Sequence, residues 1–343
     1  MFKKDYTPRS ALLELTLRCN MNCSHCGSTA GCRRENELST EQWLDICDQL
    51  SNMGCKLVTL LGGEPLLRKD WYIIAQRIKM LGMRLTIISN GYLINNEIIE
   101  QFKILSPYTV GISLDGASAD THDKIRRKNG SFTRAVEVLQ KLKEADVLTT
   151  VITTVSKTNI KDLPTIREML VNKGIAWQIQ IAVPIGRFTK EQLLSEEEFY
   201  AVALFISTSR IKYNFKELPI VGAHSMGYFS KKLPNIILGK WEGCPAGKTV
   251  LSVRSDGGVV GCLSLPDEFI EGNVKENKLN DIWNNDRKFR YNRDFQKENL
   301  KDNCKTCNKG RICKGGCLSV STSITGKTNA GPLCLRKIEN FIK

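Results

Sequence analysis

Six short runs of Val, Ile and Leu alternate with stretches of helical spacing through the first 210 residues, and that alternation limits the fold to a parallel α/β layer. The strand-like runs fall at residues 11–17, 56–61, 84–88, 109–114, 148–154 and 177–182. Residues 41–51, 71–81, 97–105, 132–145 and 160–172 read as the helices between them, and 196–209 supplies a sixth. The runs are near-continuously apolar, as expected where both faces of a sheet are covered. Right-handed crossovers then give a parallel sheet, either open or curled into part of a barrel, and periodicity alone does not choose. Ligands of such a layer gather beyond the carboxyl ends of the strands, so chemistry is to be sought there.

Beyond residue 210 the pattern breaks. Residues 211–243 carry scattered Pro, Gly and Lys and read as a connecting segment. From Cys244 onward cysteine becomes dense, helices shorten, and turns such as Ser255-Asp256-Gly257-Gly258 appear. The expected division is a large α/β unit over 1–210, the connector, and a small unit over 244–343 whose core is too thin to stand without metal staples. The 13 cysteines are an odd number, which suits full disulfide pairing poorly. The N-terminus lacks the apolar stretch of a signal peptide, and although 41% of residues are apolar no run is long enough to span a bilayer. A cytoplasmic, reducing location is the expectation, and there clustered cysteines read as metal ligands.

The first cluster, Cys19, Cys23 and Cys26, lies on the loop leaving the first strand. Three thiolates within eight residues can converge on one face of a four-iron cube. Three ligands leave one iron without a protein partner, free to bind and reduce a small molecule. A structural zinc site would instead want four ligands, and Cys32 stands nearby as a candidate fourth.

The spacing C-x3-C-x2-C resembles that of the radical SAM superfamily. The resemblance implies a partial (β/α)6 barrel in which the open iron of a [4Fe-4S] cluster holds the amino and carboxylate groups of S-adenosylmethionine. It implies reductive cleavage to a 5′-deoxyadenosyl radical that takes hydrogen from an unactivated C–H bond. It also gives meaning to the strand ends. Gly62-Gly63-Glu64-Pro65, after the second strand, is similar to the segment that binds the cofactor's methionine amino group. Two glycines let the backbone come close, and its carbonyls can accept from an ammonium. Ser89 and Asn90 end the third strand, and Ser113 and Asp115 the fourth. Such short polar side chains suit a ribose hydroxyl or a carboxylate, and serve equally in turns and helix caps. His122-Asp123-Lys124-Ile125-Arg126, followed by Gly130-Ser131-Phe132, is similar to a segment of the peptide-modifying branch, where an arginine can meet the cofactor carboxylate. Arg126 is the expected contact, and Arg127 takes a place often held by glycine in that branch. Ala182, at the end of the sixth strand, is expected on the adenine side, and His25 stands where the superfamily usually has an aromatic packed on the adenine. Cys47 and Cys55 read as buried small hydrophobes, and His224 is given no role. Cys32 reads as a loop thiol, and is the one candidate for a hydrogen donor or an auxiliary ligand.

Seven cysteines follow in the last hundred residues: Cys244, then Gly257-x4-Cys262, then Cys304, Cys307, Cys313 and Cys317 at C-x2-C-x5-C-x3-C, and finally Cys334. This matches the seven-cysteine SPASM pattern, and Cys244-Pro245-Ala246-Gly247, Gly272-Asn273-Val274 and Leu279-Asn280-Asp281-Ile282-Trp283 resemble its surroundings. The resemblance implies two auxiliary iron–sulfur clusters, of the [4Fe-4S] kind. Cys304, Cys307, Cys313 and Cys334 would close one, and Cys244, Cys262 and Cys317 would hold the other, nearer the barrel. The fourth position of that inner cluster would be open to a substrate atom such as a thiolate, or to Cys32. Two zinc ribbons are the plain alternative.

The net charge is +14, from 50 Lys and Arg against 36 Asp and Glu. These cations are scattered, with no basic run interleaved with aromatics, so a solvated basic surface is expected rather than a nucleic-acid site. An acidic peptide, or an electron donor of flavodoxin or ferredoxin type, suits the charge better. Enzymes that modify ribosomally made peptides, building carbon–sulfur or carbon–carbon crosslinks, dominate the SPASM branch, and that is the activity expected here. Leu263 follows Cys262 where anaerobic sulfatase maturases often carry an aspartate, which counts against their activity. Few residues precede the first strand, so a leader peptide would be read by the barrel or by a separate leader-binding protein. Tetrapyrrole or other small-cofactor maturation is the enzymatic alternative. A non-catalytic iron–sulfur electron carrier is the other, and it leaves Gly62-Gly63-Glu64 unexplained.

Overall fold

Alternating burial along the apolar runs sets the sheet. In the computed structural model, which describes residues 6–226, 229–233 and 236–341, six strands pair in parallel in chain order. They are β1 (Ser10–Glu14), β2 (Leu57–Leu61), β3 (Arg84–Ser89), β4 (Thr109–Ser113), β5 (Thr149–Val155) and β6 (Ala176–Ile181). Every second residue of β5 is buried, from Thr149 to Val155, as a pleated strand with one face on a closed interior requires.

The connecting helices are α1 (Thr40–Asn52), α2 (Trp71–Met80), α3 (Asn96–Leu105), α4 (Ala119–Arg126), α5 (Ser131–Glu144), α6 (Leu163–Leu170) and α7 (Glu196–Lys212). A reciprocal cap starts α1: the Gln42 amide N–H donates to Ser39 Oγ, and the Ser39 N–H to Gln42 Oε1. Trp43, Ile46, Cys47 and Leu50 then fall on one buried face at spacings of three and four. Cys55 is buried too, so both cysteines pack as small apolar groups. The helix α4 escapes a periodicity reading because it is short and mostly polar. Ser118 Oγ caps it, and only His122, Ile125 and Arg126 are buried.

The sheet runs on past both ends of that barrel. β7 (Ile220–Gly222), inside the stretch expected to connect, pairs in parallel with β6. The chain then crosses to the other edge, where β8 (Val250–Val253) pairs in parallel with β1, and β9 (Gly258–Val260) and β10 (Gly272–Asn273) extend it antiparallel. One ten-stranded sheet results, in the order β10-β9-β8-β1-β2-β3-β4-β5-β6-β7. The cysteine-rich region therefore grows out of the barrel sheet. Trp283 and Phe289 from that region share one continuous core with Trp43 and Trp177. Short helices complete it: α8 (Leu279–Asn284), α9 (Arg290–Arg293), α10 (Gly310–Cys313), α11 (Leu318–Thr325) and α12 (Leu335–Phe341). Buried Glu14 pins the junction, accepting from Arg34 Nε at 2.7 Å and from Ser255 Oγ at 3.0 Å. Among the described residues, no helix is long and apolar enough to cross a membrane.

Candidate active site

The loop carrying Cys19, Cys23 and Cys26 leaves β1 and is fixed from three directions. Its own ends pair, with Cys19 N donating to Gly31 O at 3.0 Å and Gly31 N to Leu17 O at 3.1 Å. Ser24 N donates to Ile125 O at 2.8 Å, at the C-terminal end of α4. On the β6 side Arg187 donates from Nε to Cys23 O at 2.9 Å and from Nη1 to Ala30 O at 3.0 Å, while its backbone N donates to Cys26 O at 3.0 Å. Nothing in the sequence singled out Arg187. Its signal is only its place at the end of the last barrel strand.

Gly62 and Gly63 are needed for a reason the sequence did not supply. A Cβ on Gly62 would lie 2.3 Å from Thr16 O, and one on Gly63 2.2 Å from Arg18 O. The segment is laid directly on the base of the cysteine loop, with Gly63 N donating to Thr16 O and Glu64 N to Arg18 O, each at 2.8 Å. A Gly63→Ala chain is therefore expected to push that loop aside. Iron counting on reconstituted protein should then show about one cluster in three missing, with far-UV circular dichroism unchanged.

Glu64 is fully buried, and its carboxylate accepts from Ser89 Oγ at 2.9 Å, Asn90 N at 2.8 Å and Leu66 N at 3.2 Å. Burial pushes it up to about 7, against the pull of those donors. Its side chain, and that of Ser89, thus tie β2 to β3 and leave the backbone of the segment facing the loop. Pro65 is buried behind it at the start of a single 3-10 turn. Asn90 reaches the triplet, with Nδ2 2.7 Å from Asn20 Oδ1 and 4.0 Å from Cys19 Sγ. Ser113 is part-buried at the end of β4, and Ala182 is buried, its N–H donating to Val155 O at 2.8 Å.

Asp115, expected to suit a ribose hydroxyl or a carboxylate, is engaged by other residues of the chain. It is fully buried, and its oxygens accept from Arg126 Nη2 at 2.5 Å, His25 Nε2 at 2.7 Å and Thr154 N at 2.8 Å. Burial alone would raise this carboxyl, but Arg126 and His25 outweigh it and hold it well below the usual carboxylate range. Both oxygens are engaged within the chain and the side chain is fully buried. His25 is likewise bound edge-on to Asp115, so its ring position is set by that bond. Arg126 is buried as expected of a site residue, and Nη1 lies 3.8 Å from Cys23 Sγ. Among the described residues its Nε finds no partner, nor does Asn20 Nδ2. Two unsatisfied buried donors beside the thiols mark a place where an acceptor belongs. Arg127 is exposed and left-handed at φ 51°, which explains why glycine suits that position.

The rest of that motif is scaffolding. His122 accepts from Asp115 N at 3.0 Å, and burial, then Arg126, pushes its ring down to about 4, so it stays neutral. Asp123 caps α5: Oδ1 accepts from Phe132 N at 2.7 Å and Ser131 Oγ at 2.8 Å, and Oδ2 from Gly130 N at 2.7 Å. Replacing Asp123 by alanine removes a cap worth about 1 kcal/mol, measurable as a lower urea midpoint. These donors hold the Asp123 carboxyl below its usual range although burial opposes them. Its contribution is therefore present above the unfolded carboxyl value and fades as pH falls through the folded one.

The C-terminal thiols fall into two groups. Burial, then the neighbouring thiolates of Cys334 and Cys307, pushes Cys304 up to about 12, and Cys313 rises to about 12 from burial and the same companions. A cavity of about 390 Å³ opens between Cys304, Cys307 and Cys334. Cys317 is raised by burial and by Cys244, with Cys262 also in reach, and Cys244 is pushed up to about 11. The N–H groups of Ser319 and Val320, at the start of α11, face the Cys317 sulfur, and that of Leu318 faces Cys244. Cys32 belongs to neither group; it is exposed on the triplet loop. Among the described residues no three His, Cys, Asp or Glu side chains close on a point that would hold one ion, so each set shares a region rather than a single coordination centre. Crowded thiols whose charged forms are this unfavourable suit a polynuclear group that spreads them out and discharges them.

Sequence profiles place residues 13–170 in the Radical SAM superfamily and residues 244–308 in the SPASM iron-sulfur cluster-binding domain. An AdoMet-dependent heme synthase of Methanosarcina barkeri is 30% identical over 331 residues, covering 93% of each chain. The mycofactocin maturase MftC of Mycolicibacterium smegmatis is 28% identical, covering 93% of this chain and 80% of its own. Streptococcus suis SuiB, solved bound to S-adenosylmethionine, shares the fold with a TM-score of 0.76 at 17% identity, over 92% of this chain and 74% of that one.

Proposed function

This chain belongs to the radical SAM superfamily and carries a C-terminal SPASM domain, and on that footing we propose that it oxidises a ribosomally made peptide, closing a carbon–sulfur or carbon–carbon crosslink. As a family member it binds [4Fe-4S] clusters and S-adenosylmethionine. When bound, these supply a 5′-deoxyadenosyl radical that takes hydrogen from a C–H bond of the substrate.

The chain's own part is to hold and aim. Cys19, Cys23 and Cys26 ligate the first cluster. The backbone carbonyls of Gly62 and Gly63 receive the cofactor's ammonium, since the Glu64 carboxylate is already filled. Arg126 offers its unpartnered Nε to the cofactor carboxylate while Asp115 keeps the guanidinium in place. Asn90 and Ser113 serve the ribose, and Ala182 lines the adenine side. Cys304, Cys307, Cys313 and Cys334 hold the outer auxiliary cluster.

One observation carries the peptide reading. Cys317 feels Cys244 and Cys262 as neighbours, and among the described residues the unassigned cysteines lie apart: Cys47 and Cys55 are buried in the barrel and Cys32 is exposed on the triplet loop. A fourth ligand from outside the chain, such as a cysteine of a peptide, completes such a set. A flavodoxin- or ferredoxin-type protein supplies the electron, and a separate protein can present the leader. Tetrapyrrole maturation is the second reading, favoured by the heme synthase aligning over 93% of both chains. Co-expression with each short peptide encoded beside the gene separates the two. A peptide recovered two hydrogens lighter supports the first reading. Unchanged peptides, together with a Soret shift on adding an iron porphyrin, support the second.

A further inference from the structure

Tyr291, which the sequence reading passed over, sits on α9 against the inner cysteine set. Its hydroxyl is buried with the Gly261 backbone N–H facing the oxygen, and among the described residues nothing accepts its proton. Such an atom in a protein interior costs about 1–3 kcal/mol unless something absent from the chain receives it. The ring cannot simply swing away. Phe269 holds it edge-on at 4.9 Å, and the Phe289 ring lies at 6.4 Å. Next to it, Asn292 Nδ2 donates to Cys244 O at 2.8 Å and to Ala246 O at 2.7 Å, which locks α9 to the loop bearing the first inner thiol. Gly261, immediately before Cys262, is shaped around the hydroxyl: a Cβ there would lie 2.4 Å from the phenol oxygen.

The surroundings are apolar. Cys244, Ala246, Val260, Leu265 and Leu318 form a small core of their own, and Cys262, Phe269 and Tyr291 pack against it. A phenol keeps its proton at neutral pH and so is available as a donor. A neutral donor packed in the same small core as Cys244 and Cys262 makes a strong contact in this low-dielectric setting when a sulfur is there to accept it. Hydrogen bonds to cluster sulfurs are one of the levers that set reduction potential.

We propose that the Tyr291 hydroxyl donates a hydrogen bond to a sulfur of the metal centre held by Cys244, Cys262 and Cys317, and so raises the reduction potential of that centre above that of an otherwise identical one. The inference depends on the SPASM cluster, not on which substrate the enzyme takes.

The test is a redox titration of anaerobically reconstituted holoenzyme, followed by electron paramagnetic resonance. Tyr291→Phe keeps the ring and removes the donor. The inner centre's midpoint should fall by about 59 mV, the one-electron equivalent of tenfold, with the other two centres unmoved. A strongly coupled exchangeable proton seen in the parent protein by electron–nuclear double resonance should vanish. Incorporating 3-fluorotyrosine at 291, a stronger donor, should move the midpoint upward. An iron-replete Tyr291→Phe protein with an unshifted inner midpoint overturns the proposal. Where that variant fails to retain its iron, the fluorotyrosine protein decides: an upward shift supports the bond, and no shift overturns it.

Discussion

A Cys23→Ala protein, purified and reconstituted without oxygen, is expected to form no 5′-deoxyadenosine above background and to carry about one third less iron and sulfide than the parent. Cys23 is the buried member of the triplet, and it is also the sulfur that Arg126 approaches at 3.8 Å. Two remaining thiolates do not hold a cube against reductant and chelator, and no neighbour substitutes. Cys32 is exposed, and its loop is held by Arg187 and by the Cys19–Gly31 pairing. The auxiliary cysteines lie elsewhere, flanking the β8–β9 hairpin and on or before α10, α11 and α12, so their iron should survive. Iron and labile-sulfide assays with chromatography of the nucleoside product check both halves. Full cleavage activity in this variant would place the reducing centre elsewhere.

Asp115→Ala is expected to cost about 3–5 kcal/mol, because it leaves the Arg126 guanidinium buried without its carboxylate. For a chain of 343 residues that is a fall in Tm of about 4–7 °C. The same change frees His25 and the backbone N–H of Thr154, so β4, β5 and the cysteine loop all lose a shared brace. Because Asp115 braces other side chains of the chain itself, the loss should appear in metal-free protein, before any cofactor is added. Adding Arg126→Met to the Asp115→Ala chain should recover part of the stability by removing the stranded charge, while cofactor binding stays poor. Calorimetry on the apo forms measures the first effect. An Asp115→Ala protein that melts with the parent would show that the pair is not what holds the loop.

Much of this arrangement can be read from residue spacing, and the reason is local. The triplet is bounded by a strand and spans eight positions, and the strand-end residues Gly62, Ser89, Asn90 and Asp115 all do lie beside it or beside one another. Hydrogen bonds that depend on partners distant in the chain carry no such local signal. Asp115 looks like a free polar tip until His25 and Arg126, remote in the chain, fill it. Glu64 looks like part of a ligand until Ser89 and Asn90 claim its oxygens. Arg187 spends its donors on backbone carbonyls, which carry no sequence signal. β8 pairs with β1 across most of the chain, so a unit that reads as detached proves to be an extension of the barrel sheet. Tyr291 reads as one more aromatic in a short polar helix, and only its unmet hydroxyl distinguishes it.

The most direct test uses hydrogen itself. A peptide encoded beside the gene, made with deuterium at its side chains, is incubated with reconstituted enzyme, reductant and S-adenosylmethionine, and the 5′-deoxyadenosine is weighed by mass spectrometry. Transfer of one deuterium to the nucleoside, with loss of the same atom from the peptide, is the predicted result. Nucleoside that forms yet carries no deuterium from any such peptide, but acquires it from a labelled porphyrin, would contradict the peptide assignment.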